Sequence, residues 1–225
     1  MVDCKLCVNP MEERLKLSKN STAAKVDATC YRSIVGGLRY VSRFMEDPRE
    51  DHWIAVKRLL CCVKGTVDQG IVFPKTGDEG GLRLTVFNDA LPKTDDGGGL
   101  RLTVFSDADM ADDIDGRRSI FGVLVFLGSA LISWQPLKQK VVALSTCEVE
   151  YVAAATTACQ AVWLCWLLCE QTGEEARPPA LNGRIILEFV ETDRQLANIL
   201  TKPLGRLWFS ELKNKIGMVE LKTKE

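Results

Sequence analysis

The chain has 225 residues, room for one ordinary domain and a small appendage around a real buried core. It is 46% hydrophobic and 26% charged, the make-up of a soluble globular protein. Its formal net charge of -1 excludes a protein that holds nucleic acid by bulk positive charge.

Residues 1–30 are polar and irregular, with SKNSTAAK reading as a loop. Within them Cys4-x-x-Cys7 has metal or redox spacing, but no second pair follows and the one histidine is His52. The start MVDCKLC lacks an apolar signal region. The nine cysteines are therefore expected to be free thiols, in an intracellular protein of cytoplasm or nucleus.

YRSIVGGLRYVSRFM (31–45) has helical spacing interrupted by Gly36-Gly37. Asp47-Pro48 opens a second helix with Trp53, Val56, Leu59, Leu60 and Val63 as its apolar stripe, and Lys64-Gly65 as its stop. From residue 70 the pattern turns to strands. GIVF is short, and SIFGVLVFLG (119–128) and ALISWQ (130–135) are joined at Gly128-Ser129 as a hairpin. A long helix spans about 146–170, with Ser145 as N-cap and Glu148 closing a capping box. Its apolar run AVWLCWLLC (161–169) is too short to cross a bilayer. After a linker (173–183) come a strand RIILEFVE (184–191), a helix DRQLANILTK, and an amphipathic tail around 207–217.

One stretch is written twice. PKTGDEGGLRLTVFNDAL (74–91) abuts PKTDDGGGLRLTVFSDAD (92–109), each a Gly-rich turn, the strand LRLTVF and an Asp. Only the second copy runs on into the acidic loop ADMADDID and the hairpin, which singles out Asp107 over Asp89. A carboxylate at the rim of a sheet, facing a Glu on the first turn of a following helix, is the hard-oxygen pair a divalent cation needs. An acidic loop that is merely solvated explains the same residues.

The run from FSDADMADDIDGRRSIFGVLVFLGSALISWQPLKQK through VVALSTCEVEYVAAATTACQAVWL resembles the ribonuclease H domain of copia-type retrotransposon polyproteins. YRSIVGGLRY, HWIAVKRLLCCVKGT and LANILTKPL are similar to the pieces that join that domain to reverse transcriptase and close it. The wording is closest to elements of plant genomes, and the similarity runs from about Tyr31 to Met218. It implies an α/β (α+β) fold: a ribonuclease H-like mixed sheet with antiparallel first strands and flanking helices, plus an N-terminal helical appendage. The divisions implied are 1–30 irregular, 31–72 a remnant of reverse transcriptase and its connection, 73–205 a degenerate ribonuclease H-like domain, and 206–225 a helical tail.

The activity implied is Mg2+-dependent hydrolysis of the RNA strand of an RNA–DNA hybrid, with two metals held by four carboxylates. The first carboxylate carries over to Asp107. The second carries over to Glu150, which opens the EYVAA run, rather than to Glu148 of the capping box; two residues apart on a helix, the two cannot share a face. The third is missing with its strand motif, so the family's fourth-strand region is lacking. At the fourth stands Asn198, an amide in place of the acid. The resemblance therefore implies a site of Asp107 and Glu150 alone, Mg2+ and RNA–DNA hybrid held weakly or not at all, and a catalytically inactive remnant. A weakly active ribonuclease H and a co-opted, non-catalytic interaction module stay open beside it. One reading of the extra LRLTVF sets it beside its twin, in the slot the missing segment empties; another leaves it outside the sheet.

Overall fold

The computed structural model describes residues 5–13, 15–35, 38, 41–73, 83–87, 101–110, 113–172 and 190–221, with residues 83–87 and Arg101 described by their backbone alone. The elements in chain order are α1 (Ala28–Val35), a 3-10 turn (Ser42–Phe44), α2 (Glu50–Lys64), β1 (Gln69–Ile71), β2 (Arg83–Phe87), β3 (Arg101–Asp109), β4 (Ile120–Leu127) and β5 (Ala130–Lys138). There follow α3 (Thr146–Thr172), the single turn α4 (Asn198–Thr201), α5 (Arg206–Lys215) and β6 (Met218–Glu220). This is a mixed α/β fold.

The sheet order is β2-β3-β4-β5. β3, β4 and β5 form an antiparallel meander, and the turn between the last two is made at Gly128, whose φ of 60° is left-handed, as hairpin chemistry requires. β2 joins in parallel on the other side of β3, in a register that sets each residue of the first LRLTVF copy against its own duplicate: Arg83 against Arg101, Leu84 against Leu102, through Phe87 against Phe105. The repeat thus lies beside its twin inside the sheet.

The two faces of the sheet are covered differently. Leu102, Val104, Phe121, Val123 and Val125 pack under Ala153, Ala161, Leu164 and Cys165 of α3. Phe105, Leu124, Phe126 and Leu131 pack under Leu196, Ala197, Leu204, Leu212 and Ile216 of the C-terminal segment. β4 is therefore covered on both faces, and this explains why IFGVLVFL is a continuous apolar run instead of an alternating one. α3 starts as expected. The Glu148 amide donates to the Ser145 hydroxyl (3.2 Å), and the Glu148 carboxylate accepts from the amide of Leu144 (2.8 Å), one residue before the N-cap. By length and composition α3 is also apolar enough for a bilayer, a property that the 161–169 run alone understated; here one face of it lies on the sheet.

The N-terminal part has its own core of Leu17, Tyr31, Val35, Val41, Phe44, Ala55 and Val56. α1 starts at Ala28, inside the stretch expected to be irregular, because Asp27 accepts from the Thr29 amide (2.8 Å) and caps it. α2 buries His52, Ala55, Val56 and Cys62; Trp53, Leu59 and Leu60 of the expected stripe pack against the same core partly buried, and Val63 is exposed. His52 adds to that face: stacked on Phe44 with ring centres 3.8 Å apart, it accepts from the Arg49 amide (3.1 Å) and faces the Ser18 carbonyl (2.9 Å). The neutral tautomer with its proton on Nε2 satisfies both contacts.

At the far end the chain folds back. β6 pairs antiparallel with β1, from Gln69 against Glu220 to Ile71 against Met218. The helix expected over DRQLANILTK is reduced to turns followed by α4, since Gln195 and Asn198 spend their side chains on backbone groups, as described next. The strand expected at 184–191 lies outside the described residues up to 189, and 190–191 is not strand.

Candidate functional site

Asp107 sits within β3, opposite Gly122 of β4, and not beyond the strand's end as expected. The ladder continues to Asp109 because β4 supplies partners as far as Ile120. Side chains alternate along β3. Ser106 turns to the α3 face, where its hydroxyl accepts from Thr157 (3.1 Å), and Asp107 turns to the opposite face, under α4.

Two neighbouring residues meet Asp107 there. The Thr201 hydroxyl donates to Oδ2, and the Lys202 ammonium lies 3.1 Å from Oδ1. The same ammonium donates to the side-chain oxygen of Asn198 (2.7 Å), one turn earlier. The Asn198 amide nitrogen donates in turn to the Thr192 carbonyl (2.8 Å). Gln195 completes the frame: its amide nitrogen donates to the Ser106 carbonyl (2.8 Å) and its oxygen accepts from the Ala197 amide (3.1 Å). Asp107 is 8% exposed and Asn198 fully buried.

Gly122 makes this closeness feasible. A Cβ at that position would stand 2.7 Å from Leu200 Cβ and 3.1 Å from the Ala197 carbonyl oxygen, so only glycine lets α4 lie this near the strand beside Asp107.

Of the residues expected at the site, Asp107 and Asn198 are thus brought together, joined through Lys202. Glu150 is half-buried on α3 between Val149 and Ala153, on the helix that covers the other face of the sheet, and it interacts with its surroundings. Glu148 is exposed and engaged in the capping box. Asp89 and Cys4 lie outside the described residues. Lys202, Thr201 and Gln195 were not among the residues expected at the site. The spacing of Asn198 and Lys202, four apart, was the signal that would have set them on one face.

The donor set can be tested against Mg2+, which demands octahedral oxygen coordination and usually keeps several waters. Both carboxylate oxygens of Asp107 are already engaged by protein donors, one of them a cation. Among the described residues no group of three or more His, Cys, Asp or Glu side chains is gathered to hold a metal. The residues as arranged fit an ammonium and do not fit a divalent pair.

The acidic loop after β3 has a different employment. Asp113 is 3% exposed and is held by Arg43 (2.9 Å), by the Lys138 ammonium and by the Gly116 amide (3.1 Å). Asp115 accepts from the Ser18 hydroxyl (2.7 Å) and the Lys19 amide (2.9 Å). Burial pushes Asp115 up, but these hydrogen bonds and the charges of Arg43 and Lys19 outweigh it and hold the carboxyl below its ordinary value. Asp113 and Asp115 are therefore not idle: each is engaged by protein donors. The loop bolts the N-terminal part to the sheet.

With this geometry in hand, the chain is similar to curated proteins of plant transposable elements. It is 31% identical over 270 aligned residues to the retrovirus-related Pol polyprotein from transposon RE2 of Arabidopsis thaliana, and equally to that from transposon RE1, in each case with 98% of this chain and 17% of the relative. It is 35% identical over 166 residues to the retrovirus-related Pol polyprotein from transposon TNT 1-94 of Nicotiana tabacum, covering 71% of this chain and 11% of that protein. The chain thus spans under a fifth of the length of these relatives. No family model matches, and no solved structure matches.

Proposed function

Because the chain belongs with the retrovirus-related Pol polyproteins of plant transposons, we propose that it is a remnant of the ribonuclease H part of such a polyprotein, and that it no longer hydrolyses the RNA strand of RNA–DNA hybrids. One observation carries the reading: the carboxylate of Asp107 is consumed by Thr201 and Lys202, beside an amide at Asn198.

Cleavage by two metals needs acidic oxygens to offset four positive charges around the scissile phosphate. Each missing charge pair at about 4 Å forfeits on the order of 4 kcal/mol at an effective dielectric near 20. Asp107 with Glu150 falls short of such a set by two carboxylates. A net charge of -1 gives the chain no compensating electrostatic hold on nucleic acid.

The test is cleavage of a labelled RNA–DNA hybrid by the purified full chain, with Mg2+ and with Mn2+. The expected rate equals that of Asp107→Asn. Cleavage that Asp107→Asn or Glu150→Gln abolishes would overturn the proposal.

A further inference from the structure

We propose that Lys202 is the resident cation of the Asp107 site: its ammonium, tethered by the chain, does the charge neutralisation that a divalent ion would otherwise do. This deepens the reading above and rests on it for the meaning of the site.

Three observations converge. First, the ammonium bridges the Asp107 carboxylate (3.1 Å) and the Asn198 oxygen (2.7 Å), as a bound cation bridges its ligands. Its side chain is 30% exposed, whereas that of Asp107 is 10% exposed, so the charge reaches in from the rim.

Second, position 198 is built for an amide. The fully buried Asn198 turns its nitrogen to the Thr192 carbonyl at 2.8 Å, which orients its oxygen toward Lys202. A carboxylate in that pose would set an unprotonated oxygen against the Thr192 carbonyl oxygen at hydrogen-bond distance, with no proton between them. The surroundings of Asn198 have thus been completed around the neutral side chain and a cation that arrives from the protein.

Third, there is little room for a hydrated ion. α4 is pressed onto β4 at Gly122, directly across the ladder from Asp107, and Thr201 caps the remaining carboxylate oxygen. A compact ammonium needs no closed shell of waters once the Asp107 and Asn198 oxygens hold it at the rim. Mg2+ gives up its waters reluctantly.

A double-mutant cycle on the full chain tests the proposal, read by thermal melting with MgCl2, with MnCl2 and with EDTA. The wild-type midpoint is expected to be the same in all three. Lys202→Met leaves Asp107 charged and unpaired, and should lower the midpoint by roughly 5–10 °C. Adding Asp107→Asn to Lys202→Met should recover at least half of that loss, because the neutral amide needs no counter-ion. Should Lys202→Met fail to fold, recovery of a folded double variant is the same result in stronger form. The proposal is overturned if divalent ions raise the wild-type midpoint saturably and Asp107→Asn removes the effect, if Lys202→Met is neutral, or if the second substitution rescues nothing. None of these outcomes depends on the hybrid-cleavage assay, so a nuclease result would sink the proposed function and leave the identity of the cation to this cycle.

Discussion

Asp113 and Asp115 sit two residues apart and differ in what they hold. Asp113 is a buried carboxylate between Arg43 and Lys138, so removing it takes an ion-pair partner from Arg43, whose side chain is only 20% exposed and keeps its contact with the Leu17 carbonyl. Breaking a buried pair from one side costs more than the pair is worth, and with Lys138 free to reach solvent the loss for Asp113→Ala should be about 2–3 kcal/mol. Asp115→Asn should cost under 1 kcal/mol at neutral pH, since the group is mostly exposed and screened. Its signature lies instead in pH. The folded carboxyl is depressed, so its contribution is fully present above the ordinary carboxylate value near 3.8 and is lost as pH falls through the lower folded value. Urea melts of the two variants between pH 3 and 7 check both statements. Asp115→Asn should have a shallower acid slope than the wild type, and equal slopes would show that the Ser18 and Lys19 contacts do not form.

At the scale of elements, β2 is the unusual one, a strand paired with its own duplicate in register. Parallel neighbours need a connection of about a dozen residues or more, and the repeat supplies it, because two abutting copies automatically leave a linker equal to the non-strand part of one. The duplication thus generated both the extra strand and the crossover that places it. Without the first copy, the edge of the described sheet would pass from β2, five residues long, to the nine residues of β3. Deleting residues 74–91, which restores a single copy, should therefore destabilise the protein. Five register pairs, at about 0.5–1 kcal/mol net for each backbone hydrogen bond, put the loss at roughly 2–5 kcal/mol, with association through the bared edge. Equal stability and equal solubility of the shortened chain by denaturation and sedimentation would show that β2 contributes nothing.

Elements like these also mark what was legible from residue types. The hairpin at Gly128 and the capping box at Ser145 were, because turn and cap chemistry is local. The short α4 was not, because Gln195 serves a backbone group that only the folded chain brings near, Ser106 being 89 positions away. The Arg43–Asp113 joint spans 70 positions and leaves no local trace, so an acidic loop that holds an appendage reads like one that holds a metal. Asp107 was legible from its downstream context; Lys202, four residues from Asn198, could be set on the same face as that residue, but its meeting with Asp107 spans 95 positions and leaves no local trace.

Across the whole molecule, two ties beside the Asn9–Leu204 hydrogen bond (3.1 Å) join the N-terminal part to the rest among the described residues. One is the loop of Asp113 and Asp115, at the end of β3. The other is the pairing of β1, which leaves α2, with β6, which follows α5. The second tie closes the chain on itself, since β6 arrives from the segment that covers the Phe105–Phe126 face, with Met218 and Ile71 packed against that same core. Unfolding the helical part must then disturb the face that carries Asp107. A chain truncated after Gly217 keeps α5 and the buried members of the Phe105–Phe126 core, and loses β6 with its partly buried Met218, so one of the two ties is gone. The full chain should melt in a single calorimetric transition whose van't Hoff and calorimetric enthalpies agree. The truncated chain should melt in two, the earlier belonging to the core around Tyr31 and Val56, and adding Asp113→Ala to the truncation should separate them further. A single unshifted transition in the doubly altered chain would mean that the two parts cohere through contacts other than these, and that neither the acidic loop nor the closing strand is what binds the appendage to the domain.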